Sequence, residues 1–364
     1  MVASDGVLLY SKEVVKGGLE MNDYWLVLFD QQPRRIRVIE NLLKNRLSEA
    51  TIFWAMVYGI SDAVASQRHL QRRDFEGWLK HQEQAGLLIK KEGQAYLTPA
   101  GLVKKSAYLM NHYRPHFGRW GWQINPERLA NRLLLGIQVT SEFAHHNRHY
   151  RPLNIGNYEM NAVKQWLIRT GRGVQRTVFE QMNQAFYTLE RTDPRLPKAL
   201  GALLIGYQTN GATLDQLARQ LELSQGETAI LVRDAWLGMG ALLTETPGPL
   251  STLVAPLISQ SPLSASAQQT MADFLRGMSP EQISNRRHRK LSTIRDHLLN
   301  AAILTPTVTN FYRLFPAGML NELGARYQGP VEEWSFLATH PEMDLNQEFF
   351  LFRLYQILRC QESD

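Results

Sequence analysis

Five side chains able to carry positive charge stand in a row in this chain: Arg286, Arg287, His288, Arg289 and Lys290. Phosphate is the partner such a run suits, because guanidinium and ammonium groups neutralise its oxygens and release the counterions condensed on a nucleic acid. Ser292, Thr293, Arg295 and Asp296 follow at once, at the early helix positions from which side chains reach phosphate oxygens or base edges. Between Arg276 and His297 there are 6 Lys/Arg against 2 Asp/Glu. A second basic lobe, residues 33–105, holds 13 Lys/Arg against 7 Asp/Glu and includes the pair Arg72 and Arg73. The formal net charge is +6 and the sequence pI about 9.3, so the remainder of the chain carries −4. Positive charge concentrated at two places on a neutral to acidic body fits a protein that grips a polyanion at two points.

Other constellations point to less. His145, His146 and His149 lie beside Glu142, with Glu142 to His146 and His145 to His149 one helical turn apart, a spacing that could place metal ligands on one face. No second ligand group accompanies them, so a solvated helix end is the favoured reading and no metal or other cofactor is expected. Cys360 is the single cysteine, which excludes an intramolecular disulfide and a cysteine-based zinc site and suits a reducing cytoplasm. The sequence has no Gly-x-x-x-x-Gly-Lys-Ser/Thr loop, no nucleophile elbow and no Gly-x-Gly-x-x-Gly loop, so the expectation is a protein that is not an enzyme.

The elements that must position the basic residues read as helices. At 364 residues, 44% hydrophobic and 20% charged, the chain has material for two or three packed domains. No apolar run approaches the roughly 20 residues that span a bilayer, so a cytoplasmic location without membrane association is expected. Residues 1–21 show no period and read as a disordered leader, or as a start placed too early before Met21. Residues 22–115 read as one domain. It has helices through Ile36, Ile39, Leu42 and Leu43 and through Ile52, Phe53, Met56 and Val57. A third runs from Arg72 to Ala85 with Phe75, Trp78, Leu79 and Gln82 inward and Gly86 as its stop. Leu87 to Lys90 and Tyr96 to Thr98 then flank a Glu92-Gly93 turn as a hairpin. This pattern, closing on Tyr96-Leu97-Thr98-Pro99-Ala100-Gly101, resembles the winged-helix domains of many bacterial regulators.

Residues 116–198 read as a helical middle, ending at Pro194 and Pro197. Residues 199–245 resemble a degenerate helix-turn-helix, with a capping pattern at Thr213 to Gln216. Residues 210–235 hold 2 Lys/Arg against 4 Asp/Glu, however, which favours packing over phosphate contact. The Pro, Ser, Thr and Gly of residues 246–264 read as a linker, and residues 265–364 as the second DNA-binding domain. There Ser279 caps a helix with Pro280 at its first position and Gln282 closing the box, Ile283 points inward, and the chain breaks over Asn285 to Lys290. A following helix buries Ile294, Leu298 and Ala301 or Ala302, and offers Thr293, Arg295, Asp296, Leu299 and Asn300 to solvent or to a groove.

The segment Gly277 to Ile283, with Arg287 and Ser292-Thr293-Ile294-Arg295-Asp296-His297-Leu298, resembles the helix-turn-helix appended to bacterial RecQ-type helicases. It is similar also to the stand-alone YpbB-type proteins of Firmicutes, encoded beside such a helicase. Ser284 and Arg289 stand where that pattern has alanine and a turn leucine, with Leu291 positioned to replace the leucine. The resemblance is loose elsewhere, at Tyr150-Arg151-Pro152-Leu153, Val163 to Leu167 and Phe352 to Ile357. It implies a mainly α fold with an N-terminal winged helix, a helical middle and a C-terminal helix-turn-helix. The implied function is DNA binding in repair or recombination beside a RecQ-type helicase; a transcriptional regulator or an interaction scaffold is the alternative. Arg72, Arg73, Arg286, Arg287, Arg289, Lys290, Ser292, Thr293, Arg295 and His297 are the expected DNA contacts.

Overall fold

The computed structural model describes residues 22–171, 173–308 and 311–362; the leader expected at 1–21 lies outside them. The protein is mainly helical, and two compact units divide it. One comprises residues up to 45 together with 62–259; the other comprises 46–61 together with 260–364. The chain therefore passes from one unit to the other three times, and residues 22–115 do not all fall in one unit.

In the first unit, α1 (Asn22–Val27) and α2 (Ile36–Leu43) flank β1 (Arg34–Arg35). Helix α3 (Glu49–Val57) belongs to the second unit. Helix α4 (Arg72–Gln84) buries Phe75, Trp78, Leu79 and Gln82. Trp25 of α1 meets Phe75 and Trp78 edge-on at 5.3 and 5.4 Å. Gly86 takes the left-handed conformation, φ 70°, and its amide and that of Leu87 close onto the Glu83 and Gln82 carbonyls, a glycine-terminated helix end. Strands β2 (Leu88–Lys91) and β3 (Gln94–Leu97) form the expected hairpin. Glu92 and Gly93 both have positive φ, as a two-residue primed turn requires. β1 pairs with the far side of β3, giving an antiparallel sheet of order β1-β3-β2.

The Tyr96 to Gly101 motif has a local physical reason. Thr98 donates its hydroxyl to the Gly86 carbonyl at 2.6 Å and accepts from the Gly101 amide at 3.1 Å, capping α5 (Pro99–Asn111). The Leu87 carbonyl occupies the space where a Cβ on residue 101 would stand, so only glycine fits there.

The helical middle supplies α6 (Pro126–Ala144), α7 (Asn157–Thr170) and α8 (Val174–Thr192), followed by α9 (Arg195–Leu203) and α10 (Leu214–Leu221). Thr213 and Gln216 form the expected capping box of α10. Helix α11 (Gln225–Glu245) is buried on all sides. Its Asp234 accepts from the Tyr113 hydroxyl at 2.7 Å and from the amides of His116 and Phe117 at 2.7 and 2.8 Å. A helix enclosed in this way cannot lie in a DNA groove, in keeping with the packing reading of the acidic 210–235 stretch. The composition that reads as a linker at 246–264 is instead structural over most of its length. Gly248 and Pro249 start α12 (Pro249–Val254), whose Leu250, Leu253 and Val254 are buried, and Ile258 bridges to Ile124. Proline at a first helical position and serine at caps give a linker-like composition to packed residues.

The second unit surrounds one helix. Helices α13 (Ala265–Leu275) and α14 (Pro280–Arg287) pack on α15 (Leu291–Leu304), as do α3 and α17 (Leu345–Glu362). Helix α16 (Met319–Arg326) packs against α17. Ile283, Ile294, Leu298, Ala301 and Ala302 are fully buried, and Phe274 stacks on Phe311 at 5.7 Å. Among the described residues no helix is long and apolar enough to cross a membrane.

Candidate nucleic-acid interface

Helix α14 begins as its residues dictate. Ser279 Oγ accepts from the Gln282 amide at 3.3 Å and Gln282 Oε1 accepts from the Ser279 amide at 2.9 Å, with Pro280 at the first helical position. It ends at His288, which adopts a left-handed conformation with φ 49° and ψ 46°. The turn is closed by Ser284, whose backbone carbonyl accepts from the Arg289 amide at 3.1 Å while its hydroxyl donates to the Arg289 carbonyl at 2.6 Å. A serine at this position thus adds a hydrogen bond that alanine lacks. Leu291, half-buried, opens α15 directly behind the turn.

Lys290 occupies the cap of α15 and makes no side-chain cap, so the first amides of that helix have no side-chain acceptor among the described residues. Such a terminus favours an anion through both its free N–H groups and its dipole. Arg286, His288, Arg289, Lys290 and Ser292 are exposed around it, and Thr293 is half-buried. Arg286 is loosely held, 3.5 Å from Asp273 and 3.6 Å from Met278 Sδ. Arg289 and Lys290 make no ion pair among the described residues. Five polar or cationic side chains and a helix N-terminus therefore share one short, solvent-facing stretch.

Three of the expected contacts are turned inward. Arg295 is 8% exposed, its guanidinium lying 5.8 Å from the Phe350 ring centre, 3.9 Å from Glu281 and 3.7 Å from Asp344. Leu299, expected on the same open face, is also buried. The expectation fails because periodicity allots a helix one buried face, whereas α15 is covered from several sides. Arg287 reaches back to α13, donating to the Ser266 carbonyl at 2.8 Å, Ser266 Oγ at 3.1 Å, Gln269 Oε1 at 2.9 Å and Thr270 Oγ1. His297 Nδ1 lies 2.8 Å from Thr270 Oγ1. Burial holds the His297 imidazole below its ordinary pKa, and Arg287 and Arg289 push the same way. What sequence reasoning missed is the uncapped start of α15; the lysine in the cap position was the available signal.

In the other basic lobe, Arg72 and Arg73 are exposed at the start of α4, where Arg72 pairs with Glu76 at 2.5 Å and Arg73 with Asp74 at 3.2 Å. The histidine cluster is dispersed. Glu142 is buried and accepts from Asn147 at 2.6 Å, and His145 stacks on Tyr207 at 4.4 Å. Among the described residues no group of three or more metal-ligating side chains is placed to hold an ion.

A family model described as a helix-turn-helix domain matches residues 266–336, the stretch from α13 through α16. No curated protein and no solved structure matches the chain. The protein is thus a mainly helical chain with a C-terminal helix-turn-helix domain, which points to DNA binding; α3 and α17, which pack on α15, lie outside the matched stretch.

Proposed function

We propose that this protein is a non-enzymatic DNA-binding accessory factor that holds DNA mainly by its phosphates, working beside a RecQ-type helicase in repair or recombination. The observation that carries the reading is the division of labour along α14 and α15. Arg286, Arg289, Lys290 and Ser292 face solvent beside the uncapped helix start, whereas Arg295, the residue best suited to a bidentate base contact, is buried. Contacts of this kind position DNA without reading much sequence, which suits a factor acting on DNA structures better than an operator-reading regulator. Arg72 and Arg73, at the start of α4 ahead of the β2–β3 hairpin, offer a second phosphate contact once DNA competes for their carboxylate partners. The helicase association rests on the resemblance of residues 277–298 and the cytoplasmic setting on the lone cysteine.

The test is binding of the full chain to random-sequence duplex, forked and single-stranded DNA at several salt concentrations. The logarithm of the binding constant should fall steeply and linearly with that of salt, and similarly for unrelated sequences. A flat salt dependence, or strong preference for one sequence, overturns the phosphate-holding reading. Failure to alter the unwinding rate of a RecQ-type helicase from the same source overturns the association alone.

A further inference from the structure

A cavity of about 90 Å³ in the first unit is walled by Tyr24, Trp25, Arg68, His69, Pro126 and Arg233, among others. That is several times the ~10–15 Å³ that one water needs. Two of its wall residues carry buried N–H groups with no acceptor among the described residues, Arg68 at Nε and Trp25 at Nε1. Buried donors are almost always satisfied, and an exception signals a missing partner. Arg68 makes no ion pair among the described residues. Two carboxylates share the wall: Glu127, 3.8 Å from His69 Nε2, and Asp74, which accepts from Arg73 at 3.2 Å. Burial lowers the pKa of Arg68, with Glu127 acting in the opposite direction. Arg233, 8% exposed, adds a second guanidinium, fixed by its bond to the Val64 carbonyl at 2.7 Å. The Tyr24 hydroxyl, its pKa pushed up to about 12 by burial, stays protonated and so remains a donor. The wall thus sets two N–H donors that lack a partner among the described residues, and two guanidinium groups, beside the carboxylates of Glu127 and Asp74. Water compensates a half-buried guanidinium only in part; an anion compensates it fully.

We infer that this cavity is a binding site for a small oxyanion, the phosphate or carboxylate group of a ligand, held by Arg68 with Trp25 and Arg233 beside it. The site is separate from the helix-turn-helix, so either reading can fail while the other stands.

The probes are inorganic phosphate and acetate, titrated by calorimetry and by thermal melting at constant ionic strength set with chloride. One of the two should bind saturably at one site per chain, and which one does so separates phosphate from carboxylate chemistry. Binding should persist in a variant carrying Arg289→Ala and Lys290→Ala, and weaken at least about tenfold in Arg68→Met, the effect of removing one charge-assisted hydrogen bond. Free Arg68→Met should also melt higher than the parent, since a charge that burial disfavours has been removed. Should Arg68→Met not fold, Arg68→Lys is read instead, with weaker binding expected because the Nε donor is lost. The assignment is overturned if neither anion binds saturably, or if the Arg68 variants titrate like the parent.

Discussion

Cationic side chains in the helix-turn-helix divide by what they touch. Arg289 and Lys290 face solvent, so replacing both with alanine should change stability by no more than about 0.5 kcal/mol. DNA affinity should fall, and the slope of its logarithm against that of salt should shrink by roughly 2, about 0.9 for each phosphate that is no longer neutralised. Arg287 and Arg295 should behave in the opposite way. Arg287→Ala strands Ser266, Gln269 and Thr270 and should cost about 1–3 kcal/mol, lowering the melting temperature by several degrees while leaving DNA affinity of the folded protein nearly unchanged. A melting curve that does not move would return Arg287 to the DNA-facing set. His297 gives a pH signature. Its folded pKa lies below the unfolded value near 6.5, so the stability it contributes is complete above that value and is lost as pH falls through the folded pKa. Melting temperatures between pH 7.5 and 5 should therefore decline more steeply in the parent than in His297→Gln; equal slopes would discount the histidine.

At the scale of elements, much of the architecture is legible because local chemistry fixes it. The capping boxes at Ser279 and Thr213, the Gly86 helix end and the Glu92-Gly93 turn each depend on two to four neighbouring residues, and each stands where its residues indicate. Gly101→Ala tests the tightest of them. The added methyl would meet the Leu87 carbonyl, and because that atom belongs to the backbone the clash should destabilise the first unit by about 1–3 kcal/mol, within the usual overpacking range. Ile294→Ala, in the middle of α15, should cost about 2–5 kcal/mol by opening a cavity; a loss below 1 kcal/mol in either case would contradict the packing described. The illegible parts depend on partners distant in sequence. Nothing within Leu291 to Leu304 reveals that α3 and α17 cover it, so Arg295 reads as exposed, and nothing within 246–264 reveals that Leu250 and Leu253 are buried in the helical middle.

At the scale of the whole molecule, the second unit is discontinuous in sequence, since α3 packs on α15 from a segment far upstream. Arg353 of α17 stacks 3.7 Å over the Phe53 ring of α3, and Ile52, Phe53 and Trp54 are buried. A fragment spanning residues 260–364 should accordingly melt at lower temperature and less cooperatively than the full chain, and a peptide of residues 46–61 added in trans should restore part of the loss. Unchanged melting of the fragment would mean that α3 is dispensable. The arrangement also bears on synthesis at the ribosome. Helix α3 leaves the exit tunnel roughly 230 residues ahead of α15, which at about 5–20 residues per second is a wait on the order of 10 to 50 s. Throughout that interval a nascent chain displays Ile52 and Phe53 without the later helices that cover them, so this short segment is open to a chaperone that samples apolar surface.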